Sequence, residues 1–227
     1  FTKEYAEEHR EELEKVYSLL CDEQSKKVFD GWLEYRITGR IQPLLANQTE
    51  KSEAYDLLAL GKEETYADLG AYNGDTIEEF LMQTGGSFNK IFAMEPDGRN
   101  YSKMKRRLYA LSPYDFRTVN AGAWSCDAVC EFVSKGGRNS SLVPYEKGKP
   151  INPSRIKQID MRSLDSFVKD ERITYIKYDV EGSESEALEG SKTVIKRDKP
   201  KLTVSLYHRT EDMFALPLKV KELNAQY

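Results

Sequence analysis

Cysteine and histidine are both scarce in this 227-residue chain, at three and two residues. Cys21, Cys126 and Cys130 cannot complete a disulfide framework, and the C-x-x-x-C pair lacks the spacing and partners of a zinc knuckle. On a strand both sulfurs of that pair point to one face, which is ordinary packing. A reducing, cytoplasmic location is the resulting expectation. Long apolar runs are also missing. None approaches the roughly 18 residues that a membrane span requires, so no membrane role is expected. The chain opens at Phe1, without an initiator methionine or an apolar leader, so its true N-terminus is expected to be cut or unrepresented. Nor is charge of one sign concentrated anywhere. The 34 basic and 38 acidic residues interleave to a formal net charge of -4, which leaves no basic face for nucleic acid.

Hydrophobic residues make up 39% of the chain and fall in clustered runs, enough to build a core rather than a disordered segment. The length fits one domain with an added helical segment, and no internal repeat appears. Thr2 to Asp22 carries one narrow apolar stripe through Leu13, Val16, Tyr17 and Leu20, and predicts a helix with His9 on its surface. Ser25 to about Thr38 predicts a second, with Val28, Trp32 and Tyr35 on one face, Phe29, Leu33 and Ile37 beside them, and Gly39 as the stop. A third runs from Glu50 to Leu60. Residues 1–62 thus read as a helical extension and residues 63–227 as the main domain. The aromatics Phe29, Trp32, Tyr35 and Tyr55 are simple packing or a lid.

From Thr65 the texture changes to short apolar runs separated by amphipathic stretches. The runs are Tyr66 to Leu69, Lys90 to Met94, Phe116 to Val119, Ile173 to Val180 and Leu202 to Tyr207. Helix-like segments lie between them at Asp75–Gln83, Arg99–Leu111 and Ser183–Lys196. Strand and helix in alternation signal an α/β fold, a doubly wound, mostly parallel sheet covered on both faces. Ala123 to Val143 interrupts the pattern as a β-hairpin or insertion, with Val129, Glu131 and Val133 alternating before Gly136-Gly137.

Asp68-Leu69-Gly70-Ala71-Tyr72-Asn73-Gly74-Asp75-Thr76 follows a strand and opens a helix, where open α/β sheets bind ligands. Gly70 allows a tight turn and close backbone approach, Gly74 does the same at the helix entrance, and Asp75 or Thr76 is expected to cap the helix. Dinucleotide folds need G-x-G-x-x-G to aim amides at a pyrophosphate. Here the spacing is G-x-x-x-G with acids on both sides, which suits an ammonium and a sulfonium better than phosphates. A plain strand-to-helix turn stays open. A second apolar strand ends at Glu95-Pro96-Asp97. An acid at that position accepts hydrogen bonds from both hydroxyls of a ribose, so Glu95 is the ribose candidate. Asp97 is a helix cap or a further ligand contact.

The run Ile176-Lys177-Tyr178-Asp179-Val180-Glu181-Gly182-Ser183-Glu184-Ser185-Glu186-Ala187-Leu188 carries the most specific signal. Here the sequence resembles the FkbM family of methyltransferases, whose I-K-x-D-V-E-G-x-E-x-x-A-L motif it matches without gaps. The resemblance extends back through Asp68–Thr76, Glu95-Pro96 and Arg162–Phe167, and forward to Ser205-Leu206-Tyr207-His208. It implies a class I, Rossmann-like methyltransferase fold with S-adenosyl-L-methionine at the C-terminal ends of the first strands. By that similarity Asp68, Gly70, Tyr72, Asn73, Gly74, Asp75 and Thr76 surround the methionine end. Glu95 and Pro96 meet the ribose, Asn120 and Ala121 border the adenine, and Asp179 adjoins the cofactor. The substrate implied is a hydroxyl acceptor, a sugar or secondary metabolite.

Methyl transfer to an alcohol needs in-line positioning and an acceptor made more acidic by a base or metal. Asp179 ends the fourth strand of the series and His208 the fifth. They are the expected catalytic pair, with Asp179, Glu181 and His208 as candidate divalent-metal ligands. For His208 a purely structural hydrogen-bonded role stays open, and Glu181 equally reads as a helix cap. Glu184 and Glu186 read as solvated or first-turn residues. Two more strands are expected after the fifth, yet the chain stops at Asn224-Ala225-Gln226-Tyr227. The last edge strands are therefore expected to be missing, by truncation or loss, with a partner or a homo-oligomer covering the edge. Two other functions compete with methyl transfer: a non-catalytic methyltransferase-like assembly module, and a nicotinamide-dependent oxidoreductase, disfavoured by the absent G-x-G-x-x-G.

Overall fold

The computed structural model describes residues 1–111, 115–134, 142–144 and 156–227, without the side chains of 132–134, 142–144 and 157. Gly136-Gly137 of the expected hairpin lie outside the described residues. The strands in chain order are β1 (Thr65–Leu69), β2 (Lys90–Met94), β3 (Phe116–Val119), β4 (Gly122–Ala123) and β5 (Ala128–Ser134). They continue as β6 (Leu142–Pro144), β7 (Ile156–Arg162), β8 (Tyr175–Tyr178) and β9 (Lys201–Val204). Five of them pair in parallel in the order β3-β2-β1-β8-β9.

The helices are α1 (Lys3–Glu8), α2 (Arg10–Leu19), α3 (Glu23–Thr38), α4 (Gln42–Ala46), α5 (Lys51–Leu58) and α6 (Asp75–Gln83). They are followed by α7 (Gly98–Ala110), α8 (Leu164–Val168), α9 (Glu184–Glu189), α10 (Lys192–Asp198) and α11 (Asp212–Leu223). Strand alternation sends successive side chains to opposite faces. Tyr66, Ile91, Ala93 and Tyr175 pack on Ile77 and Phe80 of α6 and Met104 and Leu108 of α7. Leu69, Phe92, Met94, Ile176 and Tyr178 pack on the other side with Leu164, Leu188, Ile195 and Leu216. Each fully buried side chain of this kind contributes roughly 1.5–3 kcal/mol, so these two layers, not the loops, hold the sheet. Every residue of β1 is buried, as befits a central strand covered on both faces.

The chain winds from β1 outward to β2 and β3, then returns to β8 on the other side of β1. That reversal makes the C-terminal ends of β1 and β8 a topological switch point, where open sheets leave a crevice. β9 pairs with β8 alone in this sheet, and no strand follows it among the described residues. Nor is any described helix long and apolar enough to cross a membrane.

Several elements differ from expectation. The N-terminal helix breaks at His9 (φ -103°, ψ 23°), whose ring lies between Tyr5 and Phe214 with centroids at 4.4 and 4.8 Å. His9 is therefore partly packed, not simply a surface residue. Leu13, Val16 and Phe29 join Phe214 in a separate core, so the first helices clasp α11, which the sequence reading did not anticipate. The helix expected over Ser183–Lys196 divides into α9 and α10 at Gly190. A Cβ there would fall 1.9 Å from the Trp124 carbonyl oxygen, so the second sheet crosses close at that point. That sheet has the order β4-β7-β5-β6, with β5 antiparallel to both β6 and β7. The Val129–Val133 alternation does mark a strand, but β7 turns the anticipated hairpin into a four-stranded layer.

Candidate functional site

The loop between β1 and α6 is built around two left-handed glycines. Gly70 has φ +84°, and a Cβ there would lie 1.9 Å from the Asp179 carbonyl oxygen, so only glycine lets the tips of β1 and β8 meet. The Gly70 and Ala71 amides both donate to the Met94 carbonyl at 3.0 Å, hooking the loop over the end of β2. Tyr72 adopts φ 47°, uncommon for a residue with a side chain, and its N–H donates to Glu95 Oε2 at 2.8 Å. Gly74 (φ 87°) is the N-cap of α6 and supplies no side-chain bond. The cap expected from Asp75 or Thr76 is thus absent. Asp75 is exposed and accepts the Thr76 amide at 2.9 Å, while the Thr76 hydroxyl donates to Asp68 Oδ2 at 2.5 Å. Asn73 accepts from Arg107 Nη1 at 3.0 Å, which ties the loop to α7.

Asp68 belongs to the fully buried strand β1. It is 0% exposed, and its other oxygen accepts from Lys177 Nζ at 3.2 Å. The same ammonium donates to the Gly70 carbonyl at 3.3 Å and lies 3.8 Å from Asp179 Oδ2. Each oxygen of Asp68 thus accepts one bond, from Thr76 of α6 and from Lys177 of the neighbouring β8. Asp68 and Thr76 brace the loop in this structure.

Glu95 ends β2 and is 6% exposed. Its carboxylate accepts from the Tyr72 and Asp97 amides, each at 2.8 Å. Burial outweighs these two bonds and, aided by the negative charges of Asp97 and Asp68, pushes the Glu95 carboxyl up to about 7. A buried carboxylate with two of about four acceptor positions filled can still receive two hydroxyls. Pro96 follows, half-buried, and Asp97 accepts from the Arg99 and Asn100 amides at 3.0 Å as the N-cap of α7. The exposed Asn120 donates to the Glu95 and Pro96 carbonyls at 2.8 and 3.1 Å, joining the β3 end to the β2 end. Ala121 is fully buried within the core, so its side chain offers no ligand surface and Asn120 alone of that pair is accessible.

The tips of β8 and β9 bring Asp179 and His208 together. His208 Nε2 lies 3.6 Å from Asp179 Oδ1 and 3.6 Å from Glu181 Oε2. The Tyr207 hydroxyl donates to Asp179 Oδ1 at 3.0 Å. Left-handed backbone at Glu181 (φ 56°) and Gly182 (φ 99°) turns the chain back, so that Glu184 Oε1 accepts the Val180 amide at 3.0 Å. The same Oε1 lies 2.8 Å from His208 Nδ1. Glu184 is only 1% exposed, which overturns its reading as a solvated residue. Burial raises its carboxyl above the ordinary range, and does the same to the neighbouring Asp212. Asp179, Glu184 and His208 each offer a ligand atom, and these atoms lie within 4.8 Å of one another. Glu184 therefore joins the two expected residues, while Glu181, its side chain 66% exposed, stands at the rim.

Sequence reasoning overlooked Lys177, Arg107, Glu184 and Tyr207 as contributors. Lys177 carried a signal: it precedes Asp179 by two on one strand, and alternation places both on one face. The others depend on turns or neighbouring helices that no local pattern reveals.

The family model for the methyltransferase FkbM domain matches residues 68–226. A crystal structure of methyltransferase FkbM from Methylobacillus flagellatus KT superposes with a TM-score of 0.81 at 23% identity. The match covers 98% of this chain and 54% of that chain, so the present chain spans about half its length. Two further solved structures superpose more loosely. One is SMU.1697c of Streptococcus mutans in complex with SAH, at TM-score 0.46 and 14% identity, over 79% of this chain and 85% of that one. The other is a SAM dependent methyltransferase from Aquifex aeolicus, at 0.40 and 12%, over 93% and 87%. No curated protein matches the chain. The five-stranded parallel sheet has the class I methyltransferase fold. With the matched domain spanning 159 of 227 residues, the chain belongs to the FkbM methyltransferase family.

Proposed function

We propose that the protein uses S-adenosyl-L-methionine to methylate a hydroxyl oxygen of a sugar or another small metabolite. The observation that carries this reading is Glu95, a buried carboxylate at the tip of β2, bonded to the amide of a left-handed residue in the adjoining glycine loop. That arrangement fits a ribose diol at Glu95 and the remainder of the ligand along Gly70–Gly74. When bound, S-adenosyl-L-methionine supplies an electrophilic methyl group on a sulfonium.

The chain's residues then divide by task. Tyr72 and Asn73 border the methionine end, Glu95 accepts the ribose hydroxyls, and Asn120 flanks the adenine. Asp68, Lys177 and Thr76 hold the loop from below. Asp179 closes the crevice through its backbone contact with Gly70. Asp179 and His208 stand at the acceptor side, where His208 Nε2, free of hydrogen bonds, is placed to take the hydroxyl proton. A second reading, a divalent cation on these residues, is favoured by unpartnered atoms on both His208 nitrogens and Glu184 Oε2. The helical extension suits a cover that excludes water, because Arg36 of α3 reaches Thr210, two residues beyond His208, at 3.5 Å.

The acceptor's small size is supported by the interleaved charge, which offers no basic face. Calorimetry with S-adenosylmethionine and with NAD tests the assignment. S-adenosylmethionine is expected to bind and NAD to stay unbound; the reverse pattern refutes the reading. With an acceptor in hand, His208→Ala and Asp179→Ala are each expected to lower kcat by about 100-fold or more, and full activity in both removes the pair from the mechanism.

A further inference from the structure

We infer that Asp179, Glu184 and His208 form a divalent-cation site at the mouth of the crevice. The inference deepens the O-methyl transfer reading and rests on it for the chemistry, though not for the binding.

Three observations point to a cation. The first is geometry. One ligand atom from each residue lies within 4.8 Å of the other two. Atoms bound to one ion at roughly 2.0–2.2 Å are about 3–4 Å apart, so small side-chain shifts complete the site. The second is unsatisfied polarity. The His208 side chain is 10% exposed and that of Glu184 1%, yet His208 Nδ1, His208 Nε2 and Glu184 Oε2 make no hydrogen bond. His208 Nδ1 sits 2.8 Å from Glu184 Oε1 but out of line for one. Buried polar atoms left unpaired cost roughly 1–3 kcal/mol each, and a missing ion is one recognised cause.

The third is charge. Asp68, Glu184 and Asp212 are buried, Asp179 is one-third exposed, and Lys177 is the ammonium that meets Asp68 and Asp179. No lysine or arginine side chain forms an ion pair with Glu184 among the described residues. A cation would offset this excess. Two carboxylates and one imidazole suit Mn2+, Fe2+ or Zn2+ better than a thiolate-seeking metal. Glu181 at the rim, 3.6 Å from Nε2, adds a carboxylate near the solvent side.

The consequence concerns the acceptor. A hydroxyl drawn to the cation becomes more acidic. Its proton leaves to water, the oxygen–methyl bond forms, and the sulfur–methyl bond breaks with its electron pair returning to sulfur. His208 would then position the ion instead of taking the proton. Preferred acceptors would carry a second oxygen beside the reacting hydroxyl, such as a vicinal diol, because two oxygens chelate better than one.

The test uses Mn2+ on the full chain after chelator dialysis, with binding read by loss of the free Mn2+ electron-paramagnetic signal. One ion per chain is expected. His208→Ala and Asp179→Asn should each weaken it by about tenfold or more, with circular dichroism unchanged. Glu184→Gln should act likewise; should it fail to fold, Asp179→Asn, at a position one-third exposed, still decides the matter. Absence of binding by Mn2+, Zn2+ and Mg2+, or equal binding by His208→Ala, overturns the inference. Calorimetry with S-adenosylhomocysteine runs in parallel. Nucleoside binding without cation binding sinks the cation site alone; cation binding without nucleoside binding sinks the methyl-transfer reading and leaves the site standing.

Discussion

Glu95 should make nucleoside binding depend on pH in a calculable way. Burial lifts its carboxyl from an ordinary 4.5 to about 7. Ribose hydroxyls donating to the carboxylate favour its charged form, so binding must expel the proton. If the bound value returns to the ordinary one, affinity follows the ionised fraction of the free protein. That fraction is roughly one-tenth at about pH 6 and roughly nine-tenths at about pH 8. S-adenosylhomocysteine should therefore bind about tenfold tighter at the higher pH, ~1.4 kcal/mol. Titration calorimetry in two buffers of different ionisation enthalpy measures the released proton directly, about 0.9 per ligand near pH 6. Glu95→Gln should bind more weakly and with a flat profile. An affinity in the native chain that ignores pH, or a Glu95→Gln variant that keeps the full dependence, refutes the reasoning.

The same shift has a stability consequence: between about pH 4.5 and 7 the folded chain holds a proton that the unfolded chain has lost. Stability should thus fall as pH rises through that window, by up to about 3 kcal/mol, and urea melts should show a smaller fall in Glu95→Gln. Gly70→Ala would drive a methyl group to within 1.9 Å of the Asp179 carbonyl. A loss of about 3 kcal/mol or more is expected in denaturant unfolding, together with loss of nucleoside binding. Lys177→Met removes the ammonium beside Asp68, which is 0% exposed. Leaving that carboxylate without its ion-pair partner should cost about 3–5 kcal/mol, and Asp68→Asn in the same chain should recover part of it.

The main sheet was legible because its strands are short apolar runs set between amphipathic helices. Lys90–Met94 and Phe116–Val119 are the observed strands as expected, and Asp75–Gln83 the observed helix. Glu95 and Asp179 were locatable for the same reason: each directly follows a short, mostly apolar strand. What escaped depends on distant contacts. Gly190 marks the break between α9 and α10 where Trp124 passes beside it, and nothing near residue 190 in sequence announces that neighbour. Glu184 occupies a helix first turn, where acids are usually solvated. It is buried because Glu181 and Gly182 turn the backbone left-handed and fold it towards Val180. The bonds of Asp68 to Lys177 and Thr76 likewise join residues that no local pattern links. The strand β4, only two residues long, shows no period at all.

A crystal structure with S-adenosylhomocysteine bound tests the central claim most directly. The ribose hydroxyls should lie within hydrogen-bond distance of the Glu95 carboxylate, with the amino-acid end along Gly70–Gly74 and the sulfur facing Asp179 and His208. A ligand seated elsewhere, or a Glu95 carboxylate still held only by the Tyr72 and Asp97 amides, would contradict it.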